Sequence, residues 1–362
     1  MNIEEQVKQM QTIENSILNF IDKENNIEEF LQNLNQQIFE PNILTNKHKL
    51  KTFLYILSKI MSNHHRYPNF FEKIEKIFNL LLPYVKKYFT SYEIYKIYEQ
   101  SPRFLLFLFS EKIIEINEDI SEILLPEIFI YLFPKESRKR KLIEKIPDNF
   151  EEKQKIGEND DILSEIIRKD SIEEFITYVN QNDYFLGSQI KESIFETNYF
   201  LIEHKQTTLI EYAAFFGSTQ IFRYLYKNGV ELTSALWLYA IHSDNPEMIY
   251  LLEENKVEPP DKSYEKCLEE SIKCHHNDIT NYIKTNLIDY DIENIDNINF
   301  EEKYNENIYS YSFHYYDFLY FPQEIKNKIF FFYACEYDYF QIVEYFLKTV
   351  NIDINEKIIL YI

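Results

Sequence analysis

Glycine is nearly missing from this chain. Its 362 residues hold four, Gly157, Gly187, Gly217 and Gly229, and no two lie closer than twelve positions. A loop that cradles phosphate needs several glycines close together, because only backbone without a Cβ approaches the oxygens. Nucleotide sites of the P-loop, Rossmann and kinase types are therefore excluded, and neither a G-x-S-x-G elbow nor an H-E-x-x-H helix is present. Cysteine is scarce too: Cys267, Cys274 and Cys335 are an odd number in a long chain, which argues against a disulfide framework and for a reducing compartment. No apolar run approaches the ~20 residues that span a bilayer. The opening MNIEEQVKQMQTIENS lacks the charged-then-apolar order of a signal peptide, so a cytoplasmic location without a membrane span is expected. Positive charge is in deficit, with 38 Lys and Arg against 60 Asp and Glu and a net charge of −22. Such a chain is repelled by nucleic acid and anionic membranes, and a basic or neutral protein partner suits it better.

What is abundant is apolar and aromatic: 45% hydrophobic residues, with 30 Tyr and 30 Phe, enough for a sizeable interior. Through the first 134 residues apolar side chains recur at intervals of three and four, as in Phe53, Ile56, Leu57 and Ile60, or Phe71, Ile74, Ile77 and Phe78. The spacing predicts helices near 3–20, 27–38, 47–62, 69–88, 92–99, 102–116 and 121–133. Pro41, Pro68, Pro102 and Pro134 stand at or near the breaks. The fold class expected is all-α, with a helical N-terminal domain over 1–134. The charged stretch 135–161 reads as a linker, and residues 162–362 form the second part, with a loose, Asp- and Asn-rich insertion near 289–307.

Internal repetition organises that second part. In TLIEYAAFFGSTQIFRYLYKNGVE, Thr208 leads a short helix holding Ala213 and Ala214, Gly217 turns the chain, Ile221 and Leu225 lie on a second helix, and Gly229 ends it. Small residues let the first helix approach its neighbour, and the glycines permit left-handed backbone at the turns. All five alanines lie between Ala213 and Ala334. Further units place Ala240, Asp244, Met248 and Leu252, then Ser271, His275, Ile279 and Ile283, then Ala334, Asp338, Ile342 and Phe346, at the same positions; a worn first unit, Ser164 to Val179, has Asp170 at its turn. The segment 208–231 resembles an ankyrin repeat, although Leu209 and Glu211 stand where that family usually has proline and histidine. Residues 162–362 are similar to a large ankyrin-containing family of trichomonad parasites, through ETNYFLIEHKQTTLIEYAAFFGS and SALWLYAIHSDNPEMIYLLEENKVEP, and MSNHHRYPNFFEKIEKI resembles that family's leader. The resemblance implies a degenerate ankyrin-repeat solenoid and no known biochemical activity.

Candidate sites follow from these patterns. Phe215, Phe216, Trp237, Tyr239 and His242 fall on first-helix segments, whose free face lines the concave surface on which ankyrin-type arrays hold partners, or else serve as core in an aromatic-rich chain. Cys267, Cys274, His275 and His276 are the one metal-like constellation, yet the repeat alignment makes the last three an inter-helix turn; His64 and His65 read likewise as a turn before Pro68. Arg138 to Lys141, within the basic run from Lys135, are either a nuclear-import patch or a solvated connection. The apolar ending EKIILYI, Glu356 to Ile362, needs covering. The function expected is that of a protein-binding scaffold without cofactor or catalysis. The alternative is an effector whose repeats target an activity in the N-terminal domain.

Overall fold

The computed structural model describes residues 3–23, 27–39, 43–67, 69–288 and 297–349, and the regular structure among them is helical. No strand occurs among the described residues beyond one isolated antiparallel bridge, Gln189 to Thr208. Along the chain come α1 (Ile3–Asp22), α2 (Ile27–Phe39), α3 (Lys47–Asn63), α4 (Phe70–Tyr88), α5 (Ser91–Tyr98), α6 (Pro102–Ser110), α7 (Glu118–Ile123) and α8 (Pro126–Leu132). The first five match the helices expected from apolar spacing. The sixth stops at Ser110, where Glu111 and Lys112 turn back onto its last carbonyls and Lys112 takes φ 53°. The seventh splits, because Pro126 opens a new helix at its first position, where its missing N–H is no loss. Pro41 and Pro68 lie outside the described residues.

The stretch 135–161 is not a free linker. It carries α9 (Pro134–Lys139) and α10 (Phe150–Ile156), and Phe150 is buried. The Gln154 amide donates to the Tyr131 carbonyl, and Arg103 Nε donates to the Lys155 carbonyl at 2.6 Å. Charge had suggested solvation; one buried ring and these backbone bonds tie the segment down. Arg138 to Lys141 stay exposed at the end of α9, with the Arg140 guanidinium 4.6 Å over the Phe129 ring.

Helix pairs follow: α11 (Ile162–Arg168) with α12 (Ile172–Gln181), then α13 (Tyr199–Glu203), α14 (Leu209–Phe215) with α15 (Thr219–Lys227), α16 (Leu236–His242) with α17 (Pro246–Glu254), and α18 (Glu265–Lys273) with α19 (Asn277–Tyr282). First helices pack on first helices, α11 on α14, α14 on α16 and α16 on α18, while α12 packs on α15. The close approach is permitted by Ala213, Ala214, Ala240 and Ser271, all fully buried. Thr208 begins α14 with a capping box: its N–H donates to Glu211 Oε2 at 2.8 Å, and Glu211 N–H donates back to Thr208 Oγ1. Ile221, Leu225 and Leu252 are fully buried on the second helices.

Each turn inside a pair uses the left-handed region at the position the repeats share: Asp170 (φ 48°), Gly217 (68°), Asp244 (49°), His275 (56°) and Asp338 (64°). At four of them the next N–H reaches back five residues, Ser171 to Ile166, Ser218 to Ala213, His276 to Ser271 and Tyr339 to Ala334, which satisfies carbonyls the helix end leaves open. Successive turns are also bonded to one another. Ser218 Oγ donates to the Ile167 carbonyl at 2.5 Å, Asn245 Nδ2 to the Gly217 carbonyl at 3.2 Å and His276 Nδ1 to the Ile241 carbonyl at 2.8 Å. The Asp170 carboxylate accepts from the N–H groups of Gln220 and Ile221 at the start of α15. A second set of left-handed residues, Asp183, Gly229 and Lys256, ends the second helices.

The remaining helices are α20 (Asn297–Tyr315), α21 (Ile329–Glu336) and α22 (Phe340–Thr349). Residues 297–307 are therefore helical, against the expected loose insertion; residues 289–296 and the ending EKIILYI lie outside the described residues. The chain divides into two units, Met1–Ile56 with Ile292–Ile362, and Leu57–Asp291. This departs from the division at 135–161. The last helix pair, α21 with α22, belongs with α1 and not with the other pairs, because α1 packs on α22 and on the 3₁₀ turn Phe318–Tyr320. An aromatic core joins that unit, with Phe313 and Phe321 4.4 Å apart and Tyr316 and Tyr339 4.5 Å apart.

Left-handed backbone costs a residue with a Cβ about 1–2 kcal/mol. Lys256→Gly, at an exposed position, is expected to stabilise the chain by about 1 kcal/mol, and Gly229→Ala, whose Cβ would meet nothing within 4 Å, to cost about as much. Gly217→Ala costs more, since its Cβ would stand 3.1 Å from Asn245 Nδ2. Urea unfolding followed by the fluorescence of Trp237, the single tryptophan, measures all three.

Candidate functional site

The first-helix face of the pairs is filled by the chain itself. After α3 ends, residues 64–67 run without helix, and the His64 Nδ1–H donates to the Cys274 carbonyl at 2.8 Å. The His65 N–H points to His276 Nε2 at 3.4 Å, the rings of His64 and His276 lie 4.7 Å apart, and Tyr67 OH donates to Asp244 Oδ2 at 3.1 Å. His276 is thus a neutral imidazole, donating from Nδ1 to Ile241 and accepting at Nε2. Burial first, and then the neighbouring His64, push its pKa well below the usual histidine range.

Next to these histidines, Phe200 of α13 is wedged against the first helices. Its ring lies 4.2 Å from His242, 4.2 Å from His204, 4.9 Å from Tyr239 and 5.7 Å from Phe215. Phe215, Tyr239 and His242 are consequently buried, Trp237 is buried with its ring 5.1 Å from that of Tyr264, and Phe216 is half-buried. Trp237 Nε1 donates to the Val257 carbonyl at 2.8 Å, and Tyr239 OH shares a hydrogen bond with Thr207 Oγ1. The expectation that these five residues form a partner surface is corrected: four are core, Phe215, Tyr239 and His242 against α13 and residues 62–67, and Trp237 against Tyr264 and the Val257 carbonyl. Phe200 was the missed residue. Its signal was an aromatic side chain in the connection just before the best repeat, which no periodic search weights.

The metal-like constellation is not assembled either. His242, Glu270 and Cys274 converge, with ligand-type atoms within 4.8 Å of one another, but Cys267, His275 and His276 are not in that group. His242 Nε2 donates to Glu270 Oε1 at 2.7 Å, the Lys273 ammonium stands 2.9 Å from the same oxygen, and Cys274 Sγ lies 3.5 Å from His242 Nδ1. Burial resists ionisation of Glu270, yet His242 and Lys273 outweigh it and bring its pKa to about 2. Burial holds His242 neutral and pushes the Cys274 thiol up. Because Lys273 already supplies the positive charge, the trio reads as a closed hydrogen-bond network.

The feature that sequence reading did not foresee is a cleft of about 790 Å³, bordered by α8, residues 190–196 and α13. Leu125, 49% exposed, with Ile190, Ile194 and Ile202 supplies apolar wall. Four carboxylates line it, Glu127, Glu192, Glu196 and Glu203, against one lysine, Lys205, whose ammonium is 3.2 Å from Glu127. Glu196 is singular among them. Its Oε1 accepts from Asn198 N at 2.8 Å and from Asn198 Nδ2 at 2.9 Å, while Oε2 is out of solvent contact and has no hydrogen-bond partner. Burial, and then the charge of Glu158, raise its pKa to about 7. Behind it Arg66 is committed elsewhere, to Thr197 Oγ1 and O at 2.9 and 2.8 Å and to Glu158 Oε1 at 3.3 Å. Arg66 therefore organises the wall without neutralising Glu196.

No protein family, curated protein or solved structure matches this chain. No described helix is long and apolar enough to cross a membrane.

Phe200→Ala is expected to cost about 3–4 kcal/mol and to loosen the ring contacts around His242, read as a lowered urea midpoint. Histidines held neutral by burial contribute stability that is complete above their ordinary pKa of 6.5 and is lost as the pH falls below it. His276→Gln, which keeps a donor for the Ile241 carbonyl, is expected to flatten that acid-side slope in unfolding curves taken across pH.

Proposed function

We propose that the chain is a non-catalytic protein-binding scaffold built of degenerate ankyrin-type helix pairs, and that it receives its partner in the cleft beside α13 rather than on the first-helix face. The repeat reading is supported by the recurrence of left-handed turns at Asp170, Gly217, Asp244, His275 and Asp338, and by the small buried residues of the first helices. The observation that carries the binding reading is the cleft itself, a concavity of about 790 Å³ mixing one exposed and several half-buried apolar side chains with a few carboxylates, the usual make-up of a recognition site. Most of its polar side chains come from residues 190–205, which favours binding over an effector with its activity in residues 1–134.

Affinity purification with the full chain tests this. Leu125→Arg, in the cleft wall, is expected to lose the partner set that the wild type and Tyr250→Arg both retain, Tyr250 being 58% exposed on α17 outside the cleft. Retention of the full set by Leu125→Arg overturns the assignment of the partner to the cleft.

A further inference from the structure

We infer that the cleft beside α13 is a receptor for a cationic peptide segment, which seats a lysine or arginine side chain against Glu196 and its apolar residues along Leu125, Ile194 and Ile202. This deepens the scaffold reading and rests on it.

Charge is the first argument. The cleft presents four carboxylates and one lysine, and that lysine is already paired with Glu127, in a chain of net charge −22. An acidic or neutral polar segment gains nothing there, whereas each incoming cation finds an acceptor. The second argument is the Glu196 carboxyl. It lines the cleft with no cation bonded to either oxygen, Oε1 being held by Asn198 and Oε2 having no hydrogen-bond partner, so an ammonium or guanidinium seated in the cleft supplies the charge that the carboxylate lacks. The molecule's own cations do not do so. Arg66, from the connection between α3 and α4, is spent on Thr197 and Glu158, and Arg168, from α11, donates to Tyr212 OH at 2.7 Å. The other groups that act on Glu196 are Glu158, ahead of α11, which repels it, and the phenols of Tyr131 in α8 and Tyr212 in α14, both neutral in the ordinary pH range. Size is the third argument: about 790 Å³ exceeds one side chain and suits a short segment.

The proton adds a signature that surface attraction lacks. With a pKa of about 7, Glu196 is largely protonated in the free chain below neutrality. A cation favours the carboxylate, so binding expels a proton and affinity rises with pH through that value.

The probe is a short dye-labelled peptide alternating lysine and leucine, titrated with the full chain by fluorescence anisotropy; the comparison peptide alternates glutamate and leucine. The lysine peptide is expected to bind at least about tenfold more tightly than the glutamate one, and more tightly at pH about 8 than at about 6. Glu196→Gln should weaken it about tenfold and abolish the pH dependence, while Glu173→Gln, exposed on α12, leaves both unchanged. Glu196→Gln removes a buried carboxyl and is expected to fold, which Trp237 fluorescence verifies. Equal binding of the two peptides, unchanged affinity in Glu196→Gln, or complete displacement by spermine at equal charge concentration, which would make the ligand a free polycation, each overturns the proposal. If the lysine peptide fails while Leu125→Arg still loses its partners, the ligand chemistry is wrong and the scaffold reading survives.

Discussion

The pairs between α11 and α19 are held in register by their turns. Each turn puts one residue into left-handed backbone, and after Asp170, Gly217 and His275 that geometry aims the following N–H at a carbonyl that the helix end would otherwise leave open. The same turns are then tied to one another, Ser218 to Ile167, Asn245 to Gly217 and His276 to Ile241. Only Gly217 adopts this conformation without steric cost. Asp170, Asp244 and His275 meet the cost with side chains that bond across pairs or sit buried, as when Asp170 caps α15. The placement of α14, α16 and α18 beside one another depends on this arrangement, with Ala213, Ala240 and Ser271 small enough to permit the contact.

That stacking leaves a face of first helices, and here the chain covers it with its own segments. The rings of Phe200 and His204 and the polar side chains of residues 62–67 fill it, so that Phe215, Tyr239 and His242 are interior. The covering is polar, and each buried imidazole must be satisfied: His64 by the Cys274 carbonyl, His276 by the Ile241 carbonyl, His242 by Glu270. Desolvation offsets much of what these hydrogen bonds gain, so their net contribution to stability is modest.

With that face covered, the open concavity of the molecule lies elsewhere. The segment that carries Phe200 inward also carries Glu196, Glu203 and Lys205 past α8, and the cleft lies along that path. Glu196 has no cation bonded to it, because Arg66 is consumed in holding Thr197 and Glu158.

Much of this was legible beforehand. Apolar spacing located the N-terminal helices, Thr208 marked the start of α14, and the scarcity of glycine made Gly217 and Gly229 readable as turns. These are local properties, fixed by steric preference and capping within a few residues. Tertiary structure alone decided that 135–161 is ordered, that α21 and α22 belong with α1, that Phe215, Trp237, Tyr239 and His242 are interior, and that Glu196 stands in a cleft. The physical reason is one of range. Whether a face is free depends on which distant segment lies upon it, and the pairing of His64 with Cys274, 210 residues apart, leaves no trace in the spacing of either.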